Sequence, residues 1–291
     1  MNYKHFGYAI LAYLSWGGLP LFWKLLDAIP AAYILAHRIL WASIATMIFC
    51  MWLKRDYLLK YLRCAKTLFL FLIAGVLLSS NWWVYIYAVI SGQIIEASLG
   101  YFINPLVSIV LGMIFLGEKL NKNQLVAFLL ATAGVTYQTL NYGHFPWIAA
   151  ILALSFGIYA LMKKKMNMEP MTALALETTS LVPIALLYIF LWEKTYSLQD
   201  FSDFFLLVMA GLVTALPLYW FGLAAAKINL HAIGFLQYLA PTMKLLLGIF
   251  LFNETFTKTH AVSFCLIWAG LAIYTGDKLH KLIFKQKKLK I

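Results

Sequence analysis

The chain has 291 residues, of which 63% are hydrophobic and only 12% are charged, and its mean hydropathy is +0.82. A soluble domain carries about 25% charged residues, so lipid rather than water is the expected solvent for most of this surface. The net charge of +12 lies in short clusters between apolar runs, which is typical of membrane topology signals and argues against nucleic-acid binding.

Apolar stretches long enough to cross a bilayer recur along the whole chain, given that about 20 residues suffice. They predict an all-α integral membrane protein with ten transmembrane helices, at residues 5–26, 33–53, 68–91, 94–116, 124–141, 145–162, 172–192, 204–226, 231–252 and 259–277. The short connections predict that neighbouring helices are antiparallel. No remaining segment is long enough for a separate soluble domain.

Basic residues predict the orientation in the membrane. With the N-terminus inside, the outer side receives only Lys24, Lys194 and Lys258, while Arg38 and Lys244 fall within spans. The other 18 of the 23 lysines and arginines then lie on the cytoplasmic side. Because cytoplasmic loops are enriched in basic residues, both termini are predicted to be cytoplasmic.

The two halves of the sequence repeat each other. A shift of 136 residues pairs Pro105 with Pro241, Gly112 with Gly248, and Glu118 with Glu254. Five spans per repeat is an odd number, so the second repeat is predicted to be inserted upside down. The predicted units are 1–141 and 142–278, followed by a basic cytoplasmic tail at 279–291. Inverted repeats are typical of secondary transporters, although a duplication kept only for stability is the alternative.

Five segments carry a family resemblance: YLSWGGLPLFWKLL at 13–26, LAHRILWA at 35–42, Asn81-Trp82, EASLGYFINPLVSIVLGMIFLGEKL at 96–120 and GFLQYLAPTMKLLLGIFLFNE at 234–254. They resemble the EamA family of the drug/metabolite transporter superfamily, and within it the RarD branch, named for a chloramphenicol-sensitivity phenotype. The resemblance implies ten helices in two inverted repeats around a central cavity. It also implies a permease of the bacterial cytoplasmic (inner) membrane that moves small metabolites or drug-like compounds by alternating access. The chain departs from the branch at Tyr33, where an acidic residue is usual, and at Lys244, where an apolar one is usual.

Lys244 is the most informative polar residue within the spans. It lies about 13 residues into its span, or about 20 Å at 1.5 Å per residue, on a helical face with Gln237 and Pro241. A lysine near the midplane needs a purpose, so we expect it to face a cavity and bind an anionic substrate group or switch a proton. A lipid-facing lysine is the alternative. The remaining predicted cavity residues share faces of other spans and are Trp16, Asn81, Tyr85, Asn104 and Ser108.

Three charged residues are candidates for a gate or for coupling. Arg38 and Glu96 lie at similar depths near the outer end, so the geometry permits an ion pair. This pair either locks helix packing or serves as a gate or substrate contact that opens and closes during transport. Glu177 begins a span near the cytoplasm, where it is a proton carrier or, alternatively, a helix-end carboxylate that meets Lys164 or another loop cation. Pro105 and Pro241 are predicted helix breaks, because each removes one backbone hydrogen bond.

Catalytic, metal-binding and nucleotide-binding motifs are missing from the sequence: DDxxD, HExxH, HxxxxD and GxxxxGK[ST] do not occur. We therefore expect no enzymatic activity, metal or cofactor; a membrane enzyme without a recognised motif and a membrane-embedded sensor or scaffold are the alternatives to transport. The expected partners are a small-molecule substrate and membrane lipid, with a proton or another ion as a candidate for coupling. A cavity within one chain predicts a monomer, while small residues in the helices also suit a dimer.

Overall fold

Helices form the regular structure in the part of the chain that the computed structural model describes, namely residues 3–26, 28–90, 94–141, 145–192, 201–251 and 257–288. No strand occurs in these ranges. The α-helices found there are α1 (Tyr3–Trp23), α2 (Ala31–Leu53), α3 (Arg55–Leu62), α4 (Ala65–Ile90), α5 (Ile94–Leu116), α6 (Lys122–Leu140), α7 (Trp147–Met166), α8 (Pro170–Thr179), α9 (Val182–Trp192), α10 (Phe201–Ala225), α11 (Leu230–Gln237), α12 (Leu239–Leu251) and α13 (Lys258–Lys288).

Helical residues occur in all ten predicted stretches, but two stretches are interrupted. The stretch at 172–192 is divided between α8 and α9, which are bent by 40° at their junction, and the stretch at 231–252 is divided between α11 and α12. Judged by length and apolar composition, seven of the described helices could each cross a membrane, or eight if α8 and α9 count as one span. The predicted all-α membrane protein is therefore confirmed, and the count of ten spans stays a prediction.

Prolines account for both interruptions. Pro183 is the second residue of α9 and Pro241 is the third residue of α12. A proline has no N–H to donate to the carbonyl four residues before it, so the helix is weakened at that point. Pro105 lies inside α5, which continues through it from Ile94 to Leu116.

Helix α3 lies in the connection between the second and third predicted spans, where no helix was predicted. Leu58 and Tyr61 are buried on one of its faces, whereas Lys60 is exposed. The Tyr61 hydroxyl accepts a hydrogen bond from the backbone N–H of Glu169 at 2.9 Å, and the Glu169 carboxylate caps α8 by accepting from the N–H of Thr172. The connection in the first half thus supports the start of α8 in the second half.

Helices of the first half pack extensively on helices of the second half. α13 lies along α6, α10 packs against α1 and α2, α11 against α5, and α7 against α4 and α5. The α6–α13 contact requires glycine at two points: a Cβ on Gly134 would lie 2.8 Å from the carbonyl oxygen of Ser263, and one on Gly270 would lie 2.7 Å from that of Ala127. Small residues that allow such a close approach of backbones are typical of membrane helix packing.

Candidate functional site

A cavity of about 130 Å³ lies where helices of the two halves meet. Its walls are formed by α1, α2, α4 and α5 from the first half, and by α7, α10, α11 and α12 from the second. Most of the site residues predicted from the sequence line this cavity, namely Trp16, Arg38, Asn81, Tyr85, Asn104, Gln237, Pro241 and Lys244. Pro105, Ser108 and Glu177 do not line it. The Glu96 side chain, and with it the pairing of Arg38 with Glu96, lies outside the described residues.

Arg38 is held in the cavity wall by two tryptophans and one hydrogen bond. Its guanidinium carbon lies 4.5 Å from the centroid of the Trp23 ring and 5.2 Å from that of Trp82. Its Nε donates a hydrogen bond to the Thr214 hydroxyl at 2.9 Å. Aromatic faces attract a guanidinium through the ring quadrupole, and they do so more strongly where water is excluded. These contacts fix the position of the positive charge without neutralising it.

Lys244 lies over an aromatic ring of the opposite half. Its Nζ is 3.8 Å from the centroid of the Tyr101 ring, and Tyr101 in turn meets Tyr85 edge to face, with the ring centroids 5.9 Å apart. The two tyrosines also lie within electrostatic range of Arg38. The tyrosine pair is therefore flanked by both cations.

The amides in the wall serve partly to join helices. Asn81 Nδ2 donates to the Leu152 carbonyl at 2.9 Å and to the Ser155 hydroxyl at 3.0 Å, which links α4 to α7. The Ser108 hydroxyl lies behind Gln237 and donates to its Oε1 at 3.4 Å. Asn104 differs, because its Oδ1 is buried and has no hydrogen-bond partner among the described residues.

Glu177 lies away from the cavity in a buried ion pair. Its carboxylate accepts from Lys163 Nζ at 2.8 Å and 3.1 Å and from the Tyr159 hydroxyl at 2.9 Å. Lys163 and Tyr159 both lie in α7, so the cation that pairs with Glu177 belongs to a helix and not to a loop. Lys164, the partner named from the sequence, donates instead to the carbonyl oxygen of Ile228.

Glu118 also joins the two halves of the chain. This residue follows the left-handed Gly117, whose φ is 63°, and its carboxylate reaches the first turn of α11. It accepts from the backbone N–H groups of Leu230 at 2.7 Å and His231 at 2.9 Å, and Nδ1 of His231 lies 2.8 Å away. Burial alone would raise the pKa of Glu118, but these hydrogen bonds outweigh it and hold the pKa below its usual value. Carboxylates are favoured at a helix N-terminus, where N–H groups have no partner within the helix.

Sequence reasoning placed Trp23 beside the cavity but missed that aromatic rings hold the two cations. Trp82 could have been found, because it lies three residues before Tyr85 and so shares its helical face. Trp23 contacts Arg38 from a different helix, and Tyr101 contacts Lys244 from a different helix. Residue spacing within one helix cannot predict such contacts. Glu118 was noted only as a repeat mate of Glu254, which lies outside the described residues.

Comparison with known proteins agrees with the motifs. The EamA-like transporter family matches residues 5–139 and again residues 146–276. The chain is 42% identical to an uncharacterized transporter, YojE, of Bacillus subtilis, over 94% of this chain and 93% of that protein. It is 39% identical to protein RarD of Escherichia coli, over 94% of each chain.

A solved crystal structure of another protein has the same fold. The TM-score is 0.74 at 19% sequence identity, and the match covers 94% of this chain and 97% of that one. The chain therefore belongs to the EamA-like transporter family, in which its relatives include RarD proteins, and it is a multi-pass transporter of the bacterial inner membrane.

Proposed function

We propose that the chain is a secondary transporter that moves a small metabolite or drug-like molecule by alternating access, with the cavity as its substrate site. Two features of the structure support this proposal. Both family-matched segments contribute to the walls of the cavity, and a separate contact, from Glu118 to the first turn of α11, holds the two halves together away from the cavity.

The two features lie at opposite ends of the same helices. On α5, the cavity residues are Gly100, Tyr101 and Asn104, near the start of the helix, whereas Glu118 follows its end. The chain folds back after α5, so that the Glu118 carboxylate lies beside Gly112, and the eight residues from Asn104 to Gly112 correspond to about 12 Å along a helix. With both termini in the cytoplasm, as the basic residues predict, the cavity lies in the outer half and the Glu118 contact lies on the cytoplasmic side.

Reciprocal contacts support the inverted repeat on which alternating access depends. Gly134 approaches Ser263 and Gly270 approaches Ala127, and each of these contacts becomes the other when residues are exchanged by the shift of 136. Such reciprocity is what a two-fold relation between residues 1–141 and 142–278 would produce. Two related halves can pack in two ways of similar energy, one open to each side.

The Glu118 contact is suited to close the inner side. Its acceptor belongs to the first half and its donors belong to the second, so the contact has to break if the halves separate there. Hydrogen bonds to a charged group contribute about 1.5–3 kcal/mol each, which biases the protein towards the closed inner side without fixing it there. The Lys164 contact with Ile228 lies in the same region.

Accessibility of the cavity from both sides of the membrane tests this function. Cys50, Cys64 and Cys265 are replaced by alanine, and Ala240→Cys in the cavity wall reports access of a membrane-impermeant maleimide. We expect labelling both in intact cells and in inverted vesicles. Adding Glu118→Gln should raise labelling from the cytoplasmic side and lower it from the outside.

A fixed cavity would favour the alternatives. Labelling from one side only, unchanged by Glu118→Gln, would contradict alternating access and favour a membrane-embedded sensor or scaffold. The exposed Asp56 offers a matched control, because Asp56→Asn removes a carboxylate on the same predicted side without touching α11.

A further inference from the structure

Among the described residues, the walls of the cavity carry charge of one sign. Arg38 and Lys244 are the charged side chains among the described residues that line it, and no carboxylate lies among them. Two cations in a partly desolvated site repel each other, and each is costly to keep away from water. A cavity of this kind favours an anionic occupant that neutralises them.

Both cations have N–H donors without acceptors in the described part of the chain. Arg38 uses Nε for Thr214, and its terminal nitrogens make no further hydrogen bond to a described residue. Lys244 Nζ contacts the face of Tyr101 and forms neither a hydrogen bond nor an ion pair with another described residue. A carboxylate is a suitable acceptor for both groups, because it takes up several charge-assisted hydrogen bonds at once.

The rest of the lining is largely aromatic. Three tryptophans, three tyrosines and one phenylalanine face the cavity, and the amides of Asn104 and Gln237 supply polar groups beside them. Aromatic walls with a few polar groups are suited to planar apolar bodies, which they bind by offset or edge-to-face packing. The occupant therefore needs a flat apolar portion as well as its charge.

We propose that the substrate is a small organic anion, with a carboxylate held by Arg38 and Lys244 and a planar, mainly apolar body packed among the aromatic rings. This rests on the proposed function in taking the cavity as the substrate site. Cations and zwitterions are disfavoured, because the described lining offers no carboxylate to pair with an ammonium group.

Compounds that share one ring and differ in charge test the proposal on the purified full chain. They are 4-hydroxyphenylacetate as the anion, its amide as the neutral form, tyramine as the cation and tyrosine as the zwitterion, with benzoate and indole-3-acetate as further carboxylates. Affinity is obtained from ligand-dependent thermal stabilisation. We expect the carboxylates to bind, the amide to bind about tenfold more weakly because its charge-assisted bonds are lost, and tyramine to give no stabilisation.

Variants of Arg38 and Lys244 then test whether these two residues cause the preference for a carboxylate. Lys244→Met and Arg38→Gln should each weaken carboxylate binding by about tenfold and leave amide binding unchanged. Lys244→Arg keeps the charge and should keep the preference for the carboxylate. Lys24→Met removes an exposed lysine that does not line the cavity, so it should have no effect.

Several outcomes would overturn the proposal. They are equal affinity for acid and amide, strongest binding of tyramine or tyrosine, carboxylate binding that survives both Lys244→Met and Arg38→Gln, and failure of all three carboxylates to bind. None of them affects the accessibility test of alternating access, which uses no ligand.

Discussion

The phenolic hydroxyl of Tyr238 donates a hydrogen bond to the backbone carbonyl of Phe102 at 3.3 Å, and the two residues are 136 positions apart. That separation is the shift that aligns the two halves of the sequence. Under two-fold symmetry, a residue contacts its own mate only near the axis. The contact therefore indicates where the proposed axis between the halves runs, next to the cavity residues Tyr101 and Gln237.

Removing this hydrogen bond should weaken the junction of the two halves. We expect Tyr238→Phe to lower the free energy of unfolding by about 1 kcal/mol, the typical net contribution of a hydrogen bond within a protein. The ring of Tyr238 is fully buried and its shape is retained, so packing changes little. Unfolding in detergent, followed by circular dichroism, measures the difference. Tyr137→Phe, at an exposed tyrosine of α6, is the control, and an equal loss in both variants would contradict the prediction.

Substitutions at Gly134 and Gly270 should have matching effects. An alanine Cβ at either residue would meet a backbone oxygen of the facing helix, at 2.8 Å and 2.7 Å respectively, so α6 and α13 have to move apart. We expect Gly134→Ala and Gly270→Ala each to cost about 1–3 kcal/mol, the usual range for overpacking. Thermal unfolding measures both.

Gly276 is the matched control for these variants. It also lies in α13, and a Cβ there would meet nothing within 4 Å. Gly276→Ala should be neutral or should stabilise the helix by up to about 1 kcal/mol, since alanine has the higher helix propensity. If one glycine of the Gly134–Gly270 pair tolerates alanine and the other does not, the two contacts are not equivalent and the two-fold relation is wrong at this interface.

Acid should remove the contribution of Glu118 to stability. Its pKa in the folded protein lies below the usual value of about 4.5, so the carboxylate stabilises the fold fully above about pH 4.5 and loses this effect as the pH falls through the folded pKa. We expect Glu118→Gln to lower the free energy of unfolding by about 1–3 kcal/mol near neutral pH. The gap to the wild type should narrow on acidification, as measured by thermal unfolding at a series of pH values. A gap that stays constant in acid would assign the effect to packing rather than to charge.

Hydropathy predicted the helical segments well, because lipid requires apolar side chains and internally satisfied backbone groups along each span. Helix faces also followed from the sequence: Asn81 and Tyr85, four residues apart, do line one cavity. The partners of Arg38 did not follow, since they depend on how helices α1, α2, α4 and α10 are rotated against one another. Helix α3 was missed because its apolar face is too short to register as a span.

Lys163 illustrates a different cause of error. The predicted span ended at residue 162 and so left Lys163 outside it on the cytoplasmic side, whereas α7 continues to Met166 and carries Lys163 as a buried residue. One signal was available in the sequence: Tyr159 and Lys163 are four residues apart and therefore share the helical face that meets Glu177. A buried lysine within a charge cluster at the end of a span is difficult to recognise. Hydropathy locates the end of the apolar stretch, but it does not show that the helix continues beyond it.

In the buried Lys163–Glu177 ion pair, we expect that replacing one side chain alone destabilises the protein more than replacing both. Both side chains are at most 5% exposed, so Lys163→Met leaves a desolvated carboxylate without its cation and should cost about 3–5 kcal/mol. Adding Glu177→Gln should recover most of that loss, and unfolding of the two single variants and the double variant gives the coupling energy. Lys165→Met, at the exposed neighbour, is the matched control.

The same double variant tests whether the movement of the two halves depends on the charges of this pair. A structural pair predicts that Lys163→Met with Glu177→Gln still exposes Ala240→Cys to both sides of the membrane, because the Glu118 contact and the cavity are untouched. If the double variant is stable but its cavity reaches only one side, the movement of the halves depends on the charges of Lys163 and Glu177, and Glu177 stays a coupling candidate. A stable double variant that retains access from both sides indicates that the two halves move without either charge, as expected of a pair that only stabilises the fold.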